Sequence, residues 1–410
     1  MTPNRKEAFP AFFLQQQKCF SYPMKLDRYH SPVRFSPFLR GAVIMSYLKH
    51  LTLAALLGAA PLAAQAKAPQ TTFSTLYAFA GPSAPNDGTV PMGGVEYSNG
   101  ALYGATAYAP KGQNLFKVDA KSGAETSLGL VPGQPWTVNL IGGELYVSTI
   151  QTGASLFGYN IASGTGSTLL NLDGDIQVNQ VVPVGSLVYG STLYGGAYGA
   201  GMIYSYDPAT GMATTVYNFT NGATGKAPWG PLLSVGKLLY GTTANGGSAG
   251  QGVVYELNPA TGKTKPLWNF SGGTDGGLPL GMVKSGGLLY GLTLRGGANG
   301  LGCVYSINPK TRTLTTVYSF AGGSDGSTPY DAPLLVKGYL YGTTSAGGPS
   351  NDGAVFKIDI ATGAETTLHT FTGSDGATPV SPLTYHAGIF YGTTEYGGYG
   401  NGTVFSFTDR

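Results

Sequence analysis

Beyond residue 66 the chain carries two histidines, His369 and His386, and one cysteine, Cys303. That short inventory bounds the chemistry. A Ser-His-Asp triad needs a histidine beside its nucleophile, and a histidine–zinc site needs several ligands at one place. Neither a histidine cluster nor a cysteine ligand set exists, so a triad, a zinc centre and a histidine-based lyase are all disfavoured, and we expect no metal and no cofactor. Cys303 stands where related segments have Met202, Val253, Ala354 and Thr403, which reads as a small core position. Carboxylates remain. Asp331, Asp352 and Glu395 offer acid–base groups, and a glycosidase would need two of them ~5 to 10 Å apart. Five further acids, Asp87, Asp173, Asp275, Asp325 and Asp375, each precede a glycine. Turn chemistry accounts for these, because Asp accepts a backbone N–H and Gly takes the positive φ that follows. Calcium would need several oxygens from one locus, and only the segment with Asp173 and Asp175 offers two acids.

Aromatic residues suggest recognition instead. The residue after a recurrent proline reads Met92, Trp136, Trp229, Leu280, Tyr330 and Val380. Aromatic faces gathered there would suit stacking on sugar rings or on apolar side chains, or else would simply plug the interior. A second variable set lies just before a recurrent Gly-Gly pair: Leu193 and Tyr194, Ala244 and Asn245, Leu294 and Arg295, Ser345 and Ala346, Glu395 and Tyr396. Variation on a fixed frame is what a binding surface would show, and also what solvated loops show by drift. The Gly-rich loops join antiparallel strands and open no helix, so they lack the context of a phosphate cradle.

The frame itself is a tandem repeat. One tyrosine recurs as Tyr103, Tyr146, Tyr189, Tyr240, Tyr290, Tyr341 and Tyr391, at steps of 43, 43, 51, 50, 51 and 50 residues. Seven short-stranded repeats of that length are the signature of a β-propeller. In the repeat that opens at Pro228, Gly230 to Val235, Leu238 to Thr243, Gly252 to Leu257 and Lys265 to Phe270 read as strands A to D, with Asn258-Pro259-Ala260-Thr261-Gly262 as the turn before D. Strand D ends in an aromatic-x-Phe pattern, as in Tyr217 and Phe219, Trp268 and Phe270, Tyr318 and Phe320, and His369 and Phe371. The last repeat lacks it. The missing copy, Tyr77 and Phe79, sits at the other end of the chain, so Ser74 to Phe79 is expected to supply the outer strand of the seventh blade and close the ring. The fold class is therefore all-β, a seven-bladed propeller of four-stranded antiparallel blades.

The ends and totals narrow the setting. From Met45, Lys49 and His50, the apolar run Leu51 to Ala60, and Ala64-Gln65-Ala66 read as a signal peptide over residues 45–66, ahead of a single propeller domain over 67–410. Residues 1–44 resemble neither a blade nor a signal and are read as an extension upstream of the natural start. The apolar run is too short for a membrane span. Residues 67–410 hold 15 Lys or Arg and 18 Asp or Glu, so no basic stripe supports nucleic-acid binding.

The order L-Y-G-T-T-x-x-G-G, then G-x-V-Y or G-x-V-F, then D-P-x-T-G, then S-D-G-x-x-P resembles the GloVer tandem-repeat family of exported bacterial proteins, over about residues 71 to 408. The resemblance implies a β-propeller-like, secreted or surface-held body and supplies no catalytic residues. Family members are attached by C-terminal sorting signals, whereas this sequence stops at Arg410 just after the last strand, so a freely secreted or periplasmic protein is expected. The leading expectation is a binding module for polysaccharide or an extracellular protein, using Trp136, Tyr194, Trp229, Arg295, Tyr330, Asp331, Glu395 and Tyr396 on the face of the B-to-C and D-to-A loops. Its rivals are a carbohydrate-active hydrolase or lyase with paired acids on that face, and a structural envelope protein.

Overall fold

The computed structural model describes residues 71–81, 87–108, 114–150, 155–172 and 179–410. The extension 1–44, the expected leader 45–66 and the acids Asp173 and Asp175 lie outside the described residues. Seven antiparallel sheets follow one another around a ring. In blade four, Lys226–Pro228 and Leu233–Val235 form the innermost strand A, Leu238–Asn245 strand B, Val253–Asn258 strand C and Lys263–Asn269 strand D. No helix among the described residues is long and apolar enough to cross a membrane.

Blade seven is closed by the first and the last of the described strands. Thr384–His386, Ile389–Thr394 and Thr403–Thr408 are its strands A to C, and Thr72–Ala78 is its strand D, as the displaced aromatic pattern predicts. Pairing runs from Thr72 opposite Thr408 to Ala78 opposite Thr403, and the Thr72 and Thr408 hydroxyls lie 2.7 Å apart. Asp409, just past strand C, accepts from Lys357 Nζ at 2.7 Å and from Tyr341 Oη at 2.7 Å, which ties the C-terminal segment to blade six.

Side chains of adjacent blades meet in seven main apolar cores, one per seam, with a smaller cluster of Leu193, Ala227 and Ala244 beside them. Three repeated devices shape them. First, the glycine of L-Y-G-T-T lies directly opposite the aromatic residue of strand C, as Gly291 opposite Tyr305. The ring crosses the glycine so closely that a Cβ there would stand 2.4 Å from the Tyr305 hydroxyl. Second, strand D carries one extra residue opposite the same aromatic, and in all seven blades it is aliphatic: Leu76, Leu128, Leu169, Val216, Leu267, Val317 and Leu368. A bulge re-aims its side chain, and each of these residues packs against a seam core. Third, the glycine that opens strand C meets the proline of the next blade; a Cβ on Gly302 would lie 2.6 Å from Pro329 Cδ, and one on Gly402 2.5 Å from Pro91 Cδ.

The strand C aromatic is Phe in four blades and Tyr in three. The hydroxyls of Tyr204, Tyr255 and Tyr305 are buried without a hydrogen-bond partner. An unsatisfied buried hydroxyl is costly, and Phe116, Phe356 and Phe405 fill the equivalent place without one. Tyr255→Phe and Tyr305→Phe are therefore expected to raise unfolding free energy by about 1 kcal/mol each or leave it unchanged. Urea denaturation reads this directly, and a loss of stability would mean that the hydroxyls find partners.

Candidate functional site

The described Asp-Gly acids are spent on their own loops. Asp275 accepts from Trp268 Nε1 at 3.1 Å and from the Ser271 N–H at 3.0 Å. Asp375 accepts the Thr372 N–H at 2.9 Å and pairs with His369 Nε2 at 2.8 Å. Asp87 and Asp325 hold the N–H groups of Ala80 and Ala321 in the same way. Each Asp thus ties the D strand's aromatic end to the loop that follows it. His369 fills the aromatic place, stacked on Phe73 with centroids 3.6 Å apart, and burial lowers its pKa despite Asp375. His386 stacks on Tyr97 at 3.8 Å on the opposite face. Cys303 is fully buried, its N–H donating to Thr293 Oγ1 at 3.1 Å, and burial pushes its thiol up to about 11.

The six residues that follow the recurrent proline do converge. Met92, Trp136, Trp229, Leu280, Tyr330 and Val380 all line one cavity where the innermost strands begin. Blade three has no proline at this place and contributes Asn179 and Gln180 instead, which is why the sequence pattern passed over them. The cavity encloses ≈ 490 Å³ of empty space that runs out to solvent, but the centre of a water-sized group can visit only ≈ 30 Å³ of it. The rest is crevice between bulky side chains and open solvent. Trp229 and Tyr330 meet edge to face, centroids 6.1 Å apart.

Besides its aromatic residues the wall carries the polar side chains Thr137, Asn179, Gln180 and Asp331. Asn179 donates through Nδ2 to Ser191 Oγ at 3.0 Å and to the Pro228 carbonyl at 2.6 Å, and its own carbonyl accepts from Ser148 Oγ at 3.1 Å. It thereby stitches blades two, three and four. Thr137 Oγ1 is buried with no partner. Asp331 Oδ1 accepts the Ala332 N–H at 2.6 Å, and burial pushes the carboxyl up to about 7 against that bond. The Tyr330 phenol is raised by burial and by two neighbouring carboxyls, Glu395 of blade seven and Asp331.

Of the other predicted residues, none lines the cavity. Glu395 is 8% exposed, its carboxyl pushed up to about 7 by burial. Arg295 is exposed at the end of strand B of blade five. Tyr194 and Tyr396 lie on the surface, 43% and 41% exposed. Three tyrosines missed by the sequence reasoning join them: Tyr108 at the end of strand B in blade one, and Tyr198 and Tyr399 within the B-to-C loops of blades three and seven. Five of the eight exposed large apolar side chains among the described residues are these tyrosines. The Tyr396 phenol is raised by burial, then by Glu395 and by Tyr108 of blade one, so the two tyrosines of blades seven and one are electrostatic neighbours. Aromatic residues inside otherwise small, Gly-rich loops were the available signal.

Buried acids also set the pH response. Glu96, Glu125, Asp331, Glu365 and Glu395 are all pushed up to about 7, in each case chiefly by burial. Between the unfolded carboxyl range and pH 7 the folded protein holds more protons than the unfolded chain, so stability falls as pH rises through that window and levels above it. Unfolding free energy is expected to drop by on the order of a few kcal/mol between pH 4.5 and 7.5. Glu395→Gln should shrink the drop, as chemical denaturation across pH would show; a rise over that range would contradict it.

A profile described as the Gloeobacter/Verrucomicrobia repeat matches residues 132–337 and 278–410. No curated protein matches the chain. Solved structures share the fold at low identity. An oligogalacturonate lyase in complex with manganese is 13% identical over 83% of this chain and 98% of that one, with a TM-score of 0.53. Another oligogalacturonate lyase, from Vibrio parahaemolyticus, is 11% identical over 82% and 97%, also at 0.53. The computationally designed Ika8 protein is 12% identical over 80% and 98%, at 0.50.

Proposed function

This chain belongs to the Gloeobacter/Verrucomicrobia repeat family, and from its loop face we propose that it is an exported binding module for polysaccharide. The observation that carries this reading is the gathering of Tyr108, Tyr194, Tyr198, Tyr396 and Tyr399 in exposed positions on B-strand ends and B-to-C loops. Exposed tyrosines give large stacking area at small conformational cost, and a sugar ring offers the complementary apolar face. Space argues for the rim over the channel, since ≈ 30 Å³ of freely visited volume is too little for a pyranose ring. Low charge on the domain favours neutral glycans. A glycan array probed with the protein tests this. Binding should weaken by about 30-fold or more in Tyr108→Ala combined with Tyr396→Ala, as expected for losing two aromatic anchors. No glycan bound by folded wild type would sink the reading.

A carbohydrate-active enzyme is the second reading, supported by Asp331 and Glu395 flanking Tyr330 with carboxyls held near 7, a range suited to acid–base work. The fold is shared with oligogalacturonate lyases, though at identities that speak for architecture alone. Release of new sugar ends from a bound polysaccharide, abolished by Glu395→Gln, would favour it.

A further inference from the structure

The channel shares no lining residue with the tyrosine rim and is too narrow for the rim's ligand. Its wall combines two features. Trp136, Trp229 and Tyr330 present aromatic groups from blades two, four and six. Among them stand four polar side chains, Gln180 with its amide and three others that keep an uncommitted acceptor. Asp331 has one oxygen committed to the Ala332 N–H, which leaves Oδ2; Asn179 has both amide hydrogens committed, which leaves Oδ1; and Thr137 Oγ1 is buried without any partner. No Lys, Arg or His is among the described residues that line the cavity. Aromatic rings attract cations through their faces, and an ammonium head carries three N–H donors and no acceptor.

We propose that the channel mouth binds the head of a primary alkylammonium, its three N–H groups directed to Asp331, Asn179 and Thr137 and its first methylenes lying among Trp136, Trp229 and Tyr330. A cavity volume of ≈ 30 Å³ has room for about two water-sized groups, an NH3⁺ and the adjoining CH2. The ligand's source is either a free polyamine or a lysine side chain of a peptide, which share this head. Charge in the pocket is set by the acids around it: Asp331 and Tyr330 from blade six and Glu395 from blade seven, while the lining residues of blades one, two, four and five, Met92, Trp136, Trp229 and Leu280 with their neighbours, bring no ionisable group. Since burial holds the Asp331 carboxyl near 7, the amine binds with release of a proton below that pH, and affinity rises with pH up to about 7.

Isothermal titration and tryptophan fluorescence of the full chain, with n-hexylamine, spermidine, an Nα-acetyl-lysine amide, n-hexanol and tetramethylammonium, test the proposal. Hexylamine is expected to bind and hexanol and tetramethylammonium not to; spermidine against the lysine amide separates the two sources. Asp331→Asn should weaken the amine by about 30-fold or more, as for removing one partner of a buried charge pair, and reduce the pH dependence to what Glu395 contributes. Thr137→Val, nearly equal in shape, should weaken it about 3- to 10-fold, the share of one hydrogen bond. Tyr108→Ala with Tyr396→Ala should leave amine binding intact, which keeps this test independent of the glycan reading. Equal binding of hexylamine and hexanol, unchanged affinity in Asp331→Asn with a wild-type melting temperature, or no binding to the folded protein would overturn it and leave water as the channel's occupant.

Discussion

A protein lacking Thr72–Ala78 is expected to lose on the order of 5–10 kcal/mol of stability, about the whole margin of a folded domain. The estimate rests on what that strand brings to the last blade. Phe73 stacks on His369 at 3.6 Å and on Phe405 at 5.4 Å, and meets Phe371 edge-on at 5.6 Å. Leu76 and Tyr77 pack into the seam with blade one, beside the buried Phe79 that follows the strand. Burying each such side chain contributes about 1.5–3 kcal/mol, before the ladder to Thr403–Thr408 is counted. The truncated chain also exposes strand Thr403–Thr408 as an open edge, which invites association. Thermal melting and sedimentation should show both effects. A synthetic peptide spanning residues 71–81 should restore the melting temperature in a dose-dependent way, by adding the missing strand in trans. A truncated protein that melts like wild type would refute this account of closure.

Gly302→Ala is expected to cost about 2–5 kcal/mol, from a disfavoured φ and from overpacking. Gly302 has φ +96°, and a Cβ there would meet Pro329 Cδ and the Thr293 carbonyl oxygen, each at 2.6 Å. Neither neighbour yields easily: one is a ring fixed in strand A of blade six, the other a backbone atom of strand B. The damage therefore falls on the seam as well as on the blade. Gly287→Ala is the control, because nothing lies within 4 Å of the Cβ it would add, and it should change stability by less than about 0.5 kcal/mol. Similar denaturation midpoints for the two variants would show that the seam relaxes around the methyl.

The sequence revealed the ring because its signals are local and repeated. The tyrosine of strand B, the displaced Tyr77 and Phe79, and the residue after each strand A proline all landed where period and order placed them. The outer-strand bulges were missed although they too leave a mark: Val216-Tyr217, Leu267-Trp268 and Val317-Tyr318 place two apolar residues side by side and break the alternation of a half-buried strand. Reading that break as a bulge needs the register of strand C, which is not local. Thr137 and Asn179 became visible as channel groups only in three dimensions, since one is an ordinary strand residue and the other lies in the blade whose proline is missing. Glu395 reads as a loop-face acid beside Tyr396, yet the bend that follows strand B buries the first and exposes the second.

The adjacency of Thr72 and Thr408 gives the molecule a property that its gene does not have. Elsewhere the same two strands are joined by a short turn, as between Asn258 and its partner Lys263 in blade four, which are separated by four residues. A linker of that length between Thr408 and Thr72 would make a covalent circle in which every blade has the same connectivity. Any C-to-D turn could then serve as the place to open it. Circular permutants should therefore share one architecture, and the choice of first residue becomes a matter of genetic history, indifferent to the folded ring.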